Sequence, residues 1–417
     1  MGKTAPTAPQ KLISTLFSLL FLVGCGGSEK ADPLAGLTLV REDLSDSPFS
    51  GLSAELEARF LQGDALFEAV FRDAQGLGPV YVRHSCGSCH ADDARGPGSV
   101  RKMVLVGDDG TTPLEDQSAL PYGHTVRPHR AGGAQQAVTL PEAGAVLVTV
   151  RFGPAVYGRG YLEAVLDSEI ERIEAAQREA GSEVSGRINR VPYQSEANPD
   201  TGYHAYGPGD AGLIGRFGLK ARIATIDEFV ADAYQGDMGI TSPLRPDELP
   251  NPAGDDDELP GLDVDADTVN LVADYVRLLR IPTRGPAAGS ERGQALFAAA
   301  GCADCHVPSL RTRADHPVPQ LRDEDAEIYS DVLLHDMGPS FADGLREFEA
   351  SSSEWKTAPL LGLRHLRNYL HDGRAATVEE AITLHGAEGS EAQPSVDRFL
   401  ALDAAERVEL LEFVSAL

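Results

Sequence analysis

Two short stretches, "CGSCH" at 86–90 and "CADCH" at 302–306, each place two thiols three positions apart with a histidine directly after the second. That pattern suits covalent attachment of a c-type haem. Each thiol adds across a vinyl group to make a thioether, and the adjacent histidine becomes the proximal iron ligand. Cys86, Cys89 and His90 would hold one haem, and Cys302, Cys305 and His306 a second. Two other chemistries use paired cysteines. A tetrahedral zinc site would have to join pairs over 200 residues apart and would leave two matched histidines without a use. A redox dithiol of the thioredoxin kind belongs in a βαβ setting, and neither pair has one. Haem attachment is the reading that uses every residue of both motifs. His84, just before the first pair, is expected to pack near the haem edge.

The fifth cysteine, Cys25, has another context. Lys3 and Lys11 precede the apolar run "LISTLFSLLFLV", too short to span a bilayer, which leads into "LVGC". This has the form of a bacterial lipoprotein signal over 1–24, with lipid attached to Cys25 after cleavage. The expected product is exported and lipid-anchored to a bacterial membrane, facing the periplasm, with the outer membrane one candidate. Residues 25–50, rich in Gly, Pro and Ser, read as a flexible tether. The chain of 417 residues carries 36 basic and 64 acidic side chains, a net charge of -28, which excludes nucleic acid as a partner. Such an acidic surface steers a basic redox partner or simply solubilises the protein.

The motifs need elements to deliver them, and the chain supplies these twice. "GDALF" (63–67) lies ahead of the first motif and "GQALF" (293–297) ahead of the second, each on an expected amphipathic helix. Downstream, "ATIDEFV" (224–230) matches "ATVEEAI" (376–382). In both, a threonine precedes a glutamate by three residues, Thr225 to Glu228 and Thr377 to Glu380, the capping-box pattern that opens a helix. Further helices are expected at "TVNLVADYVRLLR" and "DAAERVELLEFVSAL", and "AVLVTVRF" is the best strand candidate. "IPTRGPAAGS" (281–290) reads as a linker. The expectation is therefore a mainly α fold with long loops and little β, an N-terminal haem lobe over 51–282 and a C-terminal one over 286–417.

The ordered set "GLGPVYVRHSCGSCH", "GRGYLEAV", "GRFGLKA", "GDMGITS", "GCADCHVPSL", "YSDVLLHDMGP", "EWKTAPLLGL" and "LHDGRAATVEEAITLHG" resembles the bacterial di-haem oxidoreductase family of peroxidase type. Its relatives are di-haem cytochrome c peroxidase and the methylamine-utilisation di-haem enzyme. The resemblance implies two cytochrome-c-like lobes in a pseudo-two-fold arrangement, with haems facing one another near the lobe interface. It implies hydrogen peroxide as a substrate and a redox partner protein or small electron donor. Related enzymes hold calcium between the lobes, which makes calcium a further candidate cofactor.

The group opposite each iron decides the chemistry, because a six-coordinate iron has no place for peroxide. His385 shares an apolar helix face with Val378, Ala381 and Ile382, and the resemblance puts it where di-haem peroxidases usually carry a methionine ligand to the second haem. Histidine lowers the potential relative to methionine, so this haem is expected to be a poorer electron acceptor. Family members carry a distal histidine soon after the first motif; none lies there in this chain. The first iron is either open or ligated by His124, His129 or Met238. If it is open, Glu163 is the candidate to move a proton on bound peroxide. By the resemblance His371 lies in a pocket near the second haem. Trp355, the single tryptophan, is a candidate electron relay. The alternative to an enzyme is an electron-transfer cytochrome with both irons closed.

Overall fold

A computed structural model describes residues 46–90, 98–132, 145–181, 184–250 and 259–417. The signal segment, Cys25 and most of the tether lie outside these residues. Helices dominate, and the strands form small antiparallel two-stranded pairs. Among the described residues no helix is long and apolar enough to cross a membrane.

The segment ahead of each cysteine motif is helical, as its pattern predicts. Helix α1 (Ala54–Glu68) opens on Ser53, whose hydroxyl accepts the Leu56 amide. Helices α2 (Arg159–Ala164), α3 (Asp167–Ala180) and α4 (Ile226–Ala233) follow. Next come α5 (Ala266–Leu278) and α6 (Glu291–Ala299), and then α7 (Val378–Leu384), α8 (Gln393–Ala401) and α9 (Ala404–Ser415). Thr225 and Thr377 cap α4 and α7 by accepting the amides of Glu228 and Glu380. The boxes are left half made. The Glu228 carboxylate takes the Gln194 amide and that of Glu380 takes the Ala376 amide.

The matched glycines do matching work. α1 crosses α5 at Gly63, where a Cβ would sit 2.1 Å from the Leu271 carbonyl oxygen. α6 crosses α9 at Gly293, where a Cβ would sit 2.5 Å from that of Phe413. Four residues on, Phe67 packs against Tyr275 and Phe297 against Phe413. Each motif thus leaves a helix seated by a close glycine crossing. Gly63→Val should destabilise the fold by about 1–3 kcal/mol through overpacking, seen as a lower midpoint in denaturant unfolding.

Two principal cores result. The smaller is built from α6, α8 and α9 with Tyr329 and Leu363. The larger surrounds α5, which is buried from Val269 to Leu278, and it also takes Leu310, Val318, Leu321, Ile328 and Leu333 from the C-terminal half. The two halves therefore share a core and do not separate cleanly at the 281–290 linker. The tether also ends earlier than its composition suggests: Phe49 is buried and its amide bonds the Leu278 carbonyl at 3.1 Å.

"AVLVTVRF" is a strand, Ala145–Phe152, paired antiparallel with Ser99–Val106. Period-two alternation divides the latter's side chains. Met103 and Leu105 enter a small separate core, whereas Val100 and Lys102 face a cavity beside the first motif.

Candidate active site

Cys86, Cys89 and His90 line a cavity of about 620 Å³, within the range of cofactor sites. The motif is hung from the end of α1. The Gly87 amide donates to the Phe67 carbonyl at 3.0 Å, and the Cys89 and His90 amides close onto the Cys86 carbonyl. Neither thiol is in a disulfide. Burial, reinforced by nearby Asp237, pushes Cys86 up to about 12 and Cys89 up to about 11. Redox dithiols need the opposite shift, so the surroundings argue against that chemistry. The cavity wall is largely apolar, with Phe67, Val156, Phe217, Phe229 and Val276 among its residues, and Gly153 leaves room beside the His90 ring.

Of the candidate ligands for this site, His124 and Met238 line the cavity, whereas His129 is exposed and packs on Tyr81. His124 Nδ1 donates to the Met103 carbonyl at 3.0 Å, which fixes the tautomer and leaves Nε2 as an acceptor. Two cavity residues escaped the sequence reading. Lys102 donates to Thr125 Oγ1 at 2.6 Å, and burial pushes it down to about 8. Asp237, on the π-helical turn Tyr234–Met238 that follows α4, is pushed up by burial. Their signals were faint: Lys102 alternates with apolar strand residues, and Asp237 sits beside the methionine in "GDMG".

Glu163 is not where a proton donor to this cavity would be. It is absent from the lining and buried against Arg277, which grips it through Nε and Nη2. Burial alone would raise its pKa, but Arg277 and His316 hold it well below the carboxylate range. A carboxylate locked in that state has no proton to give. Arg277 also bonds Asp274, and Asp274 bonds Arg59, so the cluster ties α1, α2 and α5 together. The His84 side chain is exposed and is not among the residues that line the cavity.

The second motif leaves α6 in the same way, with the His306 amide closing onto the Cys302 carbonyl at 2.9 Å. His306 Nδ1 donates to the Tyr329 carbonyl at 3.0 Å, and His385 Nδ1 to the Ala381 carbonyl at 2.6 Å. Burial pushes both imidazoles down, His306 to about 4, and the charge His385 would carry contributes to that shift. His385 is thus within electrostatic reach of His306, and each ring is oriented by a carbonyl as iron-ligating histidines are. No Nε2 partner for either is found among the described residues. This donor set fits a haem with two axial imidazoles.

A second missed cluster abuts this motif. His335 lies between Asp331 (2.9 Å) and Glu391 (3.0 Å), with Nδ1 3.7 Å from Cys305 Sγ. Cys305, Asp331 and His335 are the one group among the described residues whose ligand atoms are close enough to share a metal ion. The two C-x-x-C pairs do not converge, which removes the four-cysteine zinc reading. Trp355 pairs with His335 across strands, stacks on His371 at 3.8 Å and donates from Nε1 to the Phe341 carbonyl at 3.1 Å. Lys220 Nζ lies 4.2 Å from its ring centre. A cation on that face disfavours an electron hole in the ring, which counts against the relay role. His371 thus packs on Trp355, and its carbonyl accepts the Phe152 amide beside the first cavity.

The fold and the paired motifs define a helical haem-binding redox protein. The chain belongs to the family described as "Di-haem oxidoreductase, putative peroxidase", which it matches over residues 43–119 and 135–417. No curated protein matches it. Two solved structures are similar at 14% identity. Hydrazine synthase from Kuenenia stuttgartiensis, pressurized with xenon, aligns over 94% of this chain and 100% of its own at a TM-score of 0.36. A MauG-like protein associated with microbial copper homeostasis aligns over 91% and 94% at 0.39.

Proposed function

We propose that this di-haem oxidoreductase is an exported, lipid-anchored peroxidase with two related lobes, reducing peroxide or using it to oxidise a partner. The observation that carries the reading is the asymmetry of the two motifs. Cys86, Cys89 and His90 open on a 620 Å³ cavity, whereas His306 has a second imidazole, that of His385, within electrostatic reach. Cysteines 86, 89, 302 and 305 would hold the haems covalently, and His90 and His306 would ligate the irons. When bound, the haems supply iron that exchanges electrons singly and, at an open position, binds peroxide. The chain provides the rest. Asp237 lines the cavity and burial raises its pKa, which makes it the group that would carry a proton towards bound peroxide. Lys102 and Arg127 line the same wall and favour negative charge there. Reduction of hydrogen peroxide to two waters consumes two electrons and two protons; the redox partner would supply both electrons, and each haem could hold one of them at a time. His385, as a second ligand beside His306, would keep the potential of the second haem low. The acidic surface favours a basic redox partner.

One observation favours the electron-transfer alternative: His124 is oriented by a carbonyl in the same manner as His306 and His385. Were it to ligate the first iron, the cavity would be closed to peroxide. Mixing the ferric holoprotein with hydrogen peroxide separates the two. A peroxidase consumes peroxide and, with a reductant, turns over. A carrier leaves peroxide untouched.

A further inference from the structure

The first cavity is cationic in a protein whose net charge is -28. Some of that charge is matched: Arg151 pairs with Asp343 and Glu347, Arg222 and Arg245 with Asp232, and Arg216 with Asp167. Arg159 and Lys356 have no such match. Each is 8% exposed and lines the cavity. Arg159, at the start of α2, spends Nε on the Ala155 carbonyl at 2.7 Å, and its Nη groups bond nothing among the described residues. The Lys356 amide is held by the Leu219 carbonyl, while its ammonium makes no hydrogen bond or ion pair among the described residues. Asp331, a carboxylate that bears on Lys356, is committed to His335 and Gln177.

Buried cations are ordinarily paired, because desolvation of a lone charge is costly. Here two lie close enough for Arg159 to act on Lys356; burial and that repulsion push the lysine down to about 7. An arriving anion would relieve both effects. We propose that Arg159 and Lys356 form a carboxylate-binding site in the wall of the first cavity, filled either by a haem propionate or by a free small organic acid. A guanidinium and an ammonium together suit one carboxylate: the first can engage both oxygens, and the second adds a point charge. The propionate arm rests on the haem reading above; the free-acid arm does not.

The test uses the holoprotein, its Lys356→Met and Lys356→Arg variants, and acetate as the probe. Acetate affinity is read by calorimetry, and the midpoint potential of the first haem by spectroelectrochemistry. Acetate bound by wild type and Lys356→Arg, but at least about tenfold more weakly by Lys356→Met, assigns the site to a free acid. No acetate binding by wild type, with a lower potential in Lys356→Met and an unchanged one in Lys356→Arg, assigns it to a propionate, since removing a positive charge favours ferric iron. If neither affinity nor potential differs between wild type and Lys356→Met, the proposal is overturned. A wild-type protein without two covalent haems would contradict the function proposed above, while the acetate comparison would still decide the free-acid site.

Discussion

His385→Ala is expected to leave both haems attached and to convert the second from low spin to high spin, with loss of most peroxide turnover. In the proposed holoprotein attachment would rest on Cys302, Cys305 and His306, which the substitution does not touch. The spin state depends on the sixth ligand, and His385 is the second imidazole within electrostatic reach of His306. Its side chain ends α7 and is partly buried, so the fold should survive. The potential of that haem should rise, because a donor that stabilises ferric iron has gone. Imidazole added to the variant should restore the low-spin spectrum by occupying the vacated space. An unaltered absorption and EPR spectrum in His385→Ala would remove this residue from the iron.

Arg277→Met is expected to cost about 3–5 kcal/mol of stability, the usual penalty for removing one partner of a buried ion pair. Arg277 and Asp274 are buried, as is the Glu163 carboxylate. Methionine can fill the space but leaves Glu163 with only the Ile226 amide and nearby His316. With total stability of typical domains near 5–15 kcal/mol, the loss would be conspicuous in urea unfolding at neutral pH. The pH dependence has a definite sign. Glu163 is depressed in the folded protein, so its contribution is full above its ordinary value of 4.5 and drains away as pH falls towards the folded value. In the variant that acid sensitivity should shrink, because the carboxyl group is no longer held down. Equal stability of wild type and variant at neutral pH would show that the pair contributes nothing.

Features legible in the sequence were local ones. The cysteine motifs, the helices that carry them and the strand 145–152 each depend on spacing within a dozen residues or so. So do the threonine caps, and the structure has all of these. Their glycines could be matched in sequence, although only the crossing shows why Gly63 and Gly293 are needed. The errors came from partners far away along the chain. Glu163 looked available because Arg277 is 114 residues distant. His335 was passed over in "LLHDMGP" because Glu391 and Cys305 reach it only through the fold. Lys102 and Asp237 became visible once a strand and a π-helical turn were seen to face the same cavity. Phe49 was assigned to the tether because its burial against α5 has no local signature.

The difference between the two haem sites is the claim on which the functional account rests, and low-temperature EPR of the ferric holoprotein addresses it most directly. The account predicts one axial high-spin signal from the first haem and one low-spin signal of two-histidine character from the second. Two low-spin signals at rest, with the haem that stays ferric after uptake of one electron still low spin, would contradict it and leave an electron carrier.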